Sequence, residues 1–67
     1  MKNRLKGFRF KNGEMTQDSI ARMAAVSRQT IIAVEKGKFN PSVKLALKLA
    51  NILYCTVEEL FELEEGD

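Results

Sequence analysis

The chain has no histidine and a single cysteine, Cys55. One thiol cannot build a disulfide framework, and one thiol without an imidazole cannot build a zinc site. Cys55 falls between two helical segments, where buried packing is its expected role. Long apolar runs are missing too. No stretch approaches the roughly 20 apolar residues of a membrane span, and the opening Lys2-Asn3-Arg4-Leu5-Lys6 leads into no secretory signal. There is no histidine base, no Gly-rich phosphate loop and no Ser/Lys arrangement with a recognisable partner, so neither an enzyme nor a cofactor is expected. The glutamates near the C-terminus read as a solvated tail rather than as paired catalytic carboxylates. Repeats, low-complexity tracts and linkers are absent. Residues 1–67 therefore read as one small, metal-free, all-α domain, marginal in stability unless a partner subunit covers more apolar surface.

What is present is unevenly distributed charge. Residues 1–55 carry all eleven lysines and arginines against Glu14, Asp18 and Glu35, a balance of +8. Residues 56–67 carry Glu58, Glu59, Glu62, Glu64, Glu65 and Asp67, a balance of −6. A basic body suits a polyanion, because each phosphate neutralised releases counterions. The acidic end is expected to point away from such a partner. Lys2, Arg4, Lys6 and Lys11 contribute to the general field.

Residues 16–37, TQDSIARMAAVSRQTIIAVEKG, read as two short helices joined by a tight turn. Thr16 is a candidate N-cap for the first, whose apolar positions are Ile20, Ala21, Met23 and Ala24. Ala21 is small enough for the next helix to cross closely, and Val26 follows the turn. Ser27 is a candidate N-cap for the second helix, where it leaves nearby amides pointing at an approaching phosphate. At about 100° per residue, Ile31 and Val34 share one side of that helix, with Glu35 at its edge. Arg28, Gln29, Ile32, Ala33 and Lys36 share the other. Arg can bond both acceptors of guanine, Gln can pair with adenine, and Ile32 or Ala33 can meet a thymine methyl. This is the layout of a helix-turn-helix, whose second helix enters the major groove.

The remaining segments read as scaffold. Helix one is expected over Asn3–Lys11 with Leu5, Phe8 and Phe10 inward, ended by Asn12-Gly13. Helix four is expected from Pro41-Ser42 to about Leu53. Its polar residues Lys44, Lys48 and Asn51 form one stripe, and the rest of its circumference is apolar. Helix five is expected over Thr56–Phe61, opened by a capping box from Thr56 to Glu59. The surplus apolar area predicts a dimerisation region at about residues 45–65, with Leu49, Ile52, Leu53, Val57, Leu60, Phe61 and Leu63 at the interface. A two-fold dimer places its reading helices one DNA turn apart, about 34 Å, and calls for a pseudo-palindromic operator.

Three segments carry a family resemblance: Ser27-Arg28-Gln29-Thr30-Ile31, Glu35-Lys36-Gly37-Lys38 and Asn40-Pro41-Ser42. With them the chain resembles the phage-repressor/Cro-like regulators, the XRE-type helix-turn-helix family, in its small single-domain branch, from about Leu5 to Phe61. The resemblance implies a compact five-helix, repressor-like domain that binds operator DNA as a homodimer. Carried over by position, it implies base reading by Arg28, Gln29, Ile32 and Ala33. It implies phosphate contacts from Gln17, through side chain or amide, and from Ser27, Lys36, Lys38 and Asn40. Arg9 and Glu35 match the family's internal ion pair, and such a half-buried link orients helices without reading sequence. Ala25 and Tyr54 stand where relatives often carry glycine, or asparagine in the second case. If Ala25 is left-handed it costs on the order of 1 kcal/mol; the loop at Tyr54 either tolerates the same strain or takes another conformation. Gly7 inside helix one weakens it by about 0.5–1 kcal/mol relative to alanine.

The expected function is sequence-specific transcriptional regulation, with repression by promoter occupancy, in a prokaryotic cytoplasm at the nucleoid. Two alternatives remain: an antitoxin-like regulator that also binds a toxin protein, and a protein-interaction module that has lost DNA binding.

Overall fold

The computed structural model describes residues 1–67. Five helices carry the fold: α1 (Leu5–Lys11), α2 (Gln17–Ala24), α3 (Arg28–Glu35), α4 (Val43–Ile52) and α5 (Val57–Leu60). Two strands, β1 (Lys2–Asn3) and β2 (Phe61–Glu62), pair antiparallel and clasp the two ends of the chain together.

Four of the helices start on a side-chain cap. The hydroxyls of Thr16, Ser27, Ser42 and Thr56 accept from the amides of Ser19, Thr30, Leu45 and Glu59, which satisfies one of the orphan donors of each first turn. At Thr56 the Glu59 carboxylate returns the bond at 2.9 Å, completing a capping box. The opposite ends of three helices are sealed from a distance. Lys48 Nζ donates to the Ala24 carbonyl of α2 at 3.3 Å, Asn12 Nδ2 to the Leu53 carbonyl after α4 at 3.2 Å, and Asn3 Nδ2 to the Val34 carbonyl of α3 at 2.8 Å. Lys48 therefore belongs to a helix junction as well as to the polar stripe of α4.

The core draws from every helix. Leu5, Ile20, Ile31, Val34, Leu49, Leu53 and Leu60 are all but inaccessible to solvent. Each contributes about 1.5–3 kcal/mol through burial. Ala21 and Ala24 are buried where α2 meets α3 and α4. Their small side chains allow close approach of the helices.

Several sequence expectations need correction. α1 begins at Leu5 rather than Asn3, because Asn3 is drawn into β1 and its Oδ1 accepts from the Leu5 amide at 3.2 Å. Phe10 is half exposed, with the Arg9 guanidinium 5.5 Å from its ring centroid. Met23 also faces outward. α5 stops at Leu60, since Phe61 adopts extended backbone and pairs with Asn3. Ala25 and Tyr54 are both left-handed, at φ 58° and 54°, and so is Glu14 at φ 56°. The first two loops therefore keep the glycine-type geometry without glycine and carry its strain.

The expected dimer residues divide. Leu49, Leu53 and Leu60 are fully buried, and Phe61 nearly so, within the single chain. Leu49, Leu53 and Leu60 form the floor of the monomer core and offer no surface to a second copy, while Phe61 keeps an edge in the wall of an apolar hollow. Ile52 and Val57 are half-buried, and Leu63 is exposed. The apolar residues that α4 turns outward are Val43 and Leu47, at 78% and 54% exposure.

Candidate nucleic-acid interface

α2 and α3 are joined by Ala25-Val26-Ser27. The left-handed Ala25 reverses the chain, and Val26 sends its amide back to the Ala21 carbonyl at 3.0 Å. Val26 itself packs against the core. Ile31 and Val34 then pin the inner face of α3, and the outer face is left open. Arg28 and Gln29 are exposed, and Ile32 and Ala33 are half-buried between them and the core. Neither Arg28 nor Gln29 is drawn into the local hydrogen bonding, which runs between Ser27 and Thr30. Two long polar side chains thus stand free beside two aliphatic ones.

Below this face lies a buried ion pair. Arg9 donates to both oxygens of Glu35, with Nε at 2.6 Å from Oε2 and Nη2 at 3.1 Å from Oε1. A third donor, Nη1, reaches the Met15 carbonyl at 2.7 Å. Gln17 Nε2 adds a bond to Glu35 Oε1 at 3.1 Å. The four residues tie α1, the turn before α2, α2 itself and α3 into one network with every buried polar side-chain atom paired. A bidentate guanidinium–carboxylate pair of this kind is directional, so it fixes the angle at which α3 sits on the domain.

Gln17 therefore spends its side-chain amide inside the protein. Its backbone amide, at the start of α2, is free of intrahelical partners. An open polar hollow lies at this point, lined by Thr16, Gln17 and Asp18 of the α2 start, by Arg28 of α3 and by Lys6 of α1. Nothing in the spacing of residues 6 and 28 brings Lys6 to this hollow; only the packing of α1 does. Ser27 is exposed with its hydroxyl engaged as the α3 cap. Lys36, Lys38 and Asn40 are exposed along the turn that leaves α3, where Gly37 has φ 73°.

The acidic end takes an unexpected place. It folds back on β1, with Arg4 Nη2 at 3.0 Å from Glu62 Oε1 and the Met1 amino group at 3.3 Å from both Glu64 and Asp67. Glu64 shares a hollow with Lys36 and Gly37. Arg4 holds the Glu62 carboxyl below its usual range, first by hydrogen bonding and then by charge. Hydrogen bonds to Glu64 and Asp67 raise the Met1 amine. Cys55 is half-buried against the core, where burial and then the Glu59 charge push its thiol up.

Two crossed helices, the second pinned on one face and bare on the other, define a helix-turn-helix domain of the DNA-binding class. The helix-turn-helix family model matches residues 9–60, and the chain belongs to that family, the XRE-type transcriptional regulators. It is 46% identical over 67 residues to a helix-turn-helix-type transcriptional regulator of Methanocaldococcus jannaschii, covering the whole of both chains. A regulator of the same type from Bacillus subtilis is 40% identical over 65 residues, 97% of each chain. Among solved structures, the restriction-modification controller protein C.AhdI of Aeromonas hydrophila superposes with a TM-score of 0.77 at 34% identity, over 87% of this chain and 86% of that one. No helix is long and apolar enough to cross a membrane.

Proposed function

We propose that this regulator is a repressor that occupies a pseudo-palindromic operator as a homodimer. The observation that carries this is the two-sided α3, with Ile31 and Val34 buried and Arg28 and Gln29 exposed beside Ile32 and Ala33. In a major groove those four side chains meet base edges and thymine methyls. The amides at the start of α2, the Ser27 end of α3, and Lys36, Lys38 and Asn40 hold the phosphates on either side.

The second copy is assigned to the apolar hollow at the start of α4. Met1, Pro41, Val43, Leu47, Val57 and Phe61 line it, and Leu63, two residues after Phe61, is exposed. Val43 and Leu47 are both exposed and part of the hollow's wall, so one patch offers projecting apolar side chains and a recess, which suits a self-complementary two-fold contact. Glu58 on the hollow's rim and the exposed Lys44 beside Val43 supply opposite charges for such a pairing. The reading supports cytoplasmic residence at the nucleoid, with double-stranded DNA as the partner.

The test is selection of bound duplexes from a randomised DNA pool near physiological salt, followed by sequencing. Enrichment of an inverted repeat with half-sites about one helical turn apart is expected. An unenriched pool from folded protein overturns the proposal in favour of a protein-binding role.

A further inference from the structure

The C-terminal end of α3 is fastened by a residue 31 positions away in the sequence. Asn3 Nδ2 donates to the Val34 carbonyl at 2.8 Å and reaches the Glu35 carbonyl at 3.5 Å, while Oδ1 accepts from the Leu5 amide at 3.2 Å. Both ends of one carboxamide are in use. Its backbone is held as well, since Asn3 pairs with Phe61 in the two-stranded sheet and the next amide, of Arg4, donates to Leu60 at 2.8 Å. The same segment lies against the turn after α3, where a Cβ on Gly37 would stand 3.4 Å from the Met1 carbonyl.

The last four carbonyls of a helix have no intrahelical partner. In α3, the amides of Lys36, Lys38 and Gly37 serve Ile32, Ala33 and Val34 at 3.0–3.1 Å. Asn3 supplies the second donor to Val34 and the side-chain donor to Glu35. Lys48 and Asn12 seal α2 and α4 in a similar way, yet of the three sealed ends that of α3 leads directly into Lys36 and Lys38.

We propose that Asn3 is a positioning residue for DNA binding. By tying the Val34 carbonyl to β1, it sets the last turn of α3 and the Lys36–Lys38 turn so that both lysines meet the backbone while Arg28 and Gln29 meet the bases. This rests on the assignment of α3 as the reading helix. The residue type matters because a carboxamide donates and accepts at once. Serine at this position would still serve the Leu5 amide but would be too short to reach Val34.

The experiment compares the full chain with Asn3→Ser and Asn3→Ala. Amide exchange is followed without DNA, and affinity is measured for the selected operator and for a random duplex. Each affinity is repeated in a Lys36→Ala/Lys38→Ala background. In Asn3→Ser, protection at Gly37 and Lys38 should fall, and operator affinity should drop about tenfold, the scale of one lost hydrogen bond. That drop should vanish in the double-lysine background, because the turn there has nothing left to position. Asn3→Ala should show the same affinity loss with an added fall in thermal stability. Unchanged exchange at Gly37 and Lys38 overturns the proposal, as does an equal affinity loss in both backgrounds, which is general destabilisation. If the wild-type chain binds random duplex only, the base-reading assignment has failed. Asn3 is then judged by exchange and random-duplex affinity, which fall together if it positions the turn and stay put if it does not.

Discussion

Ile20, Ala24, Ile31 and Val34 are sealed inside the α2–α3 unit, and Arg9 and Glu35 beneath them are about nine-tenths buried. The terminal clasp is made differently. Its strands are two residues long, and its Arg4–Glu62 pair is about half exposed on each side. Buried apolar area is favourable at any ionic strength, whereas an exposed ion pair is weak and screened by salt. α3 therefore rests on a rigid floor at its start and middle, and on a lighter, electrostatically trimmed strap at its end. The difference separates what sets the shape of the domain from what adjusts it.

Breaking the floor should have the largest effect. Glu35→Ala strands a buried guanidinium and frees Gln17, which removes about 3–5 kcal/mol as judged from other buried pairs. In a domain of this size, urea denaturation should find the variant largely unfolded. A midpoint within error of the wild type would mean that the pair is dispensable.

Smaller, and of opposite sign, is relief of the loops. Ala25→Gly and Tyr54→Gly remove a Cβ from left-handed backbone, and Tyr54 is 88% exposed, so little packing is lost. Each should raise stability by about 1 kcal/mol, read as a higher denaturation midpoint. A fall would show that the side chain stabilises its loop by more than the strain it carries.

The smallest effect sharpens the other side of the comparison. Arg4 lowers the folded value of Glu62, first by hydrogen bond and then, together with Lys2, by charge. The Glu64 amide, then the Met1 amine, lower that of Asp67. Those carboxylates add to the clasp above their ordinary values of 4.5 and 3.8, and the gain is lost as pH falls through the lower folded values. The Met1 amine runs the other way, adding fully below its ordinary 8.0 and losing its contribution as pH rises through its raised folded value. Protection of the Arg4 amide, corrected for intrinsic exchange, should be greatest between 4.5 and 8.0 and should fall on either side. A flat profile would make the clasp a backbone device alone.

This contrast also marks how far the sequence could be read. Thr16, Ser27, Ser42 and Thr56 announce their helices, because a cap is a local event within three residues. The open face of α3 follows from helical periodicity alone. The clasp was not legible, since two-residue strands carry no alternation and Phe61 looks like one more residue of α5. The bond from Gln17 to Glu35 joins residues 18 apart and those from Asn3 to α3 join residues 31 and 32 apart, and no local pattern encodes such pairs. The same blindness put Leu49, Leu53 and Leu60 at a dimer surface. Apolar residues look alike in sequence whether they meet their own chain or another.

The most direct measurement is the affinity of Arg28→Ala/Gln29→Ala for the selected operator and for random duplex, with circular dichroism on the same samples. Each lost base contact should cost operator binding about 1–3 kcal/mol, with helicity kept and random-duplex affinity only slightly weakened. Operator affinity equal to that of the wild type would contradict the assignment of α3's open face to base reading.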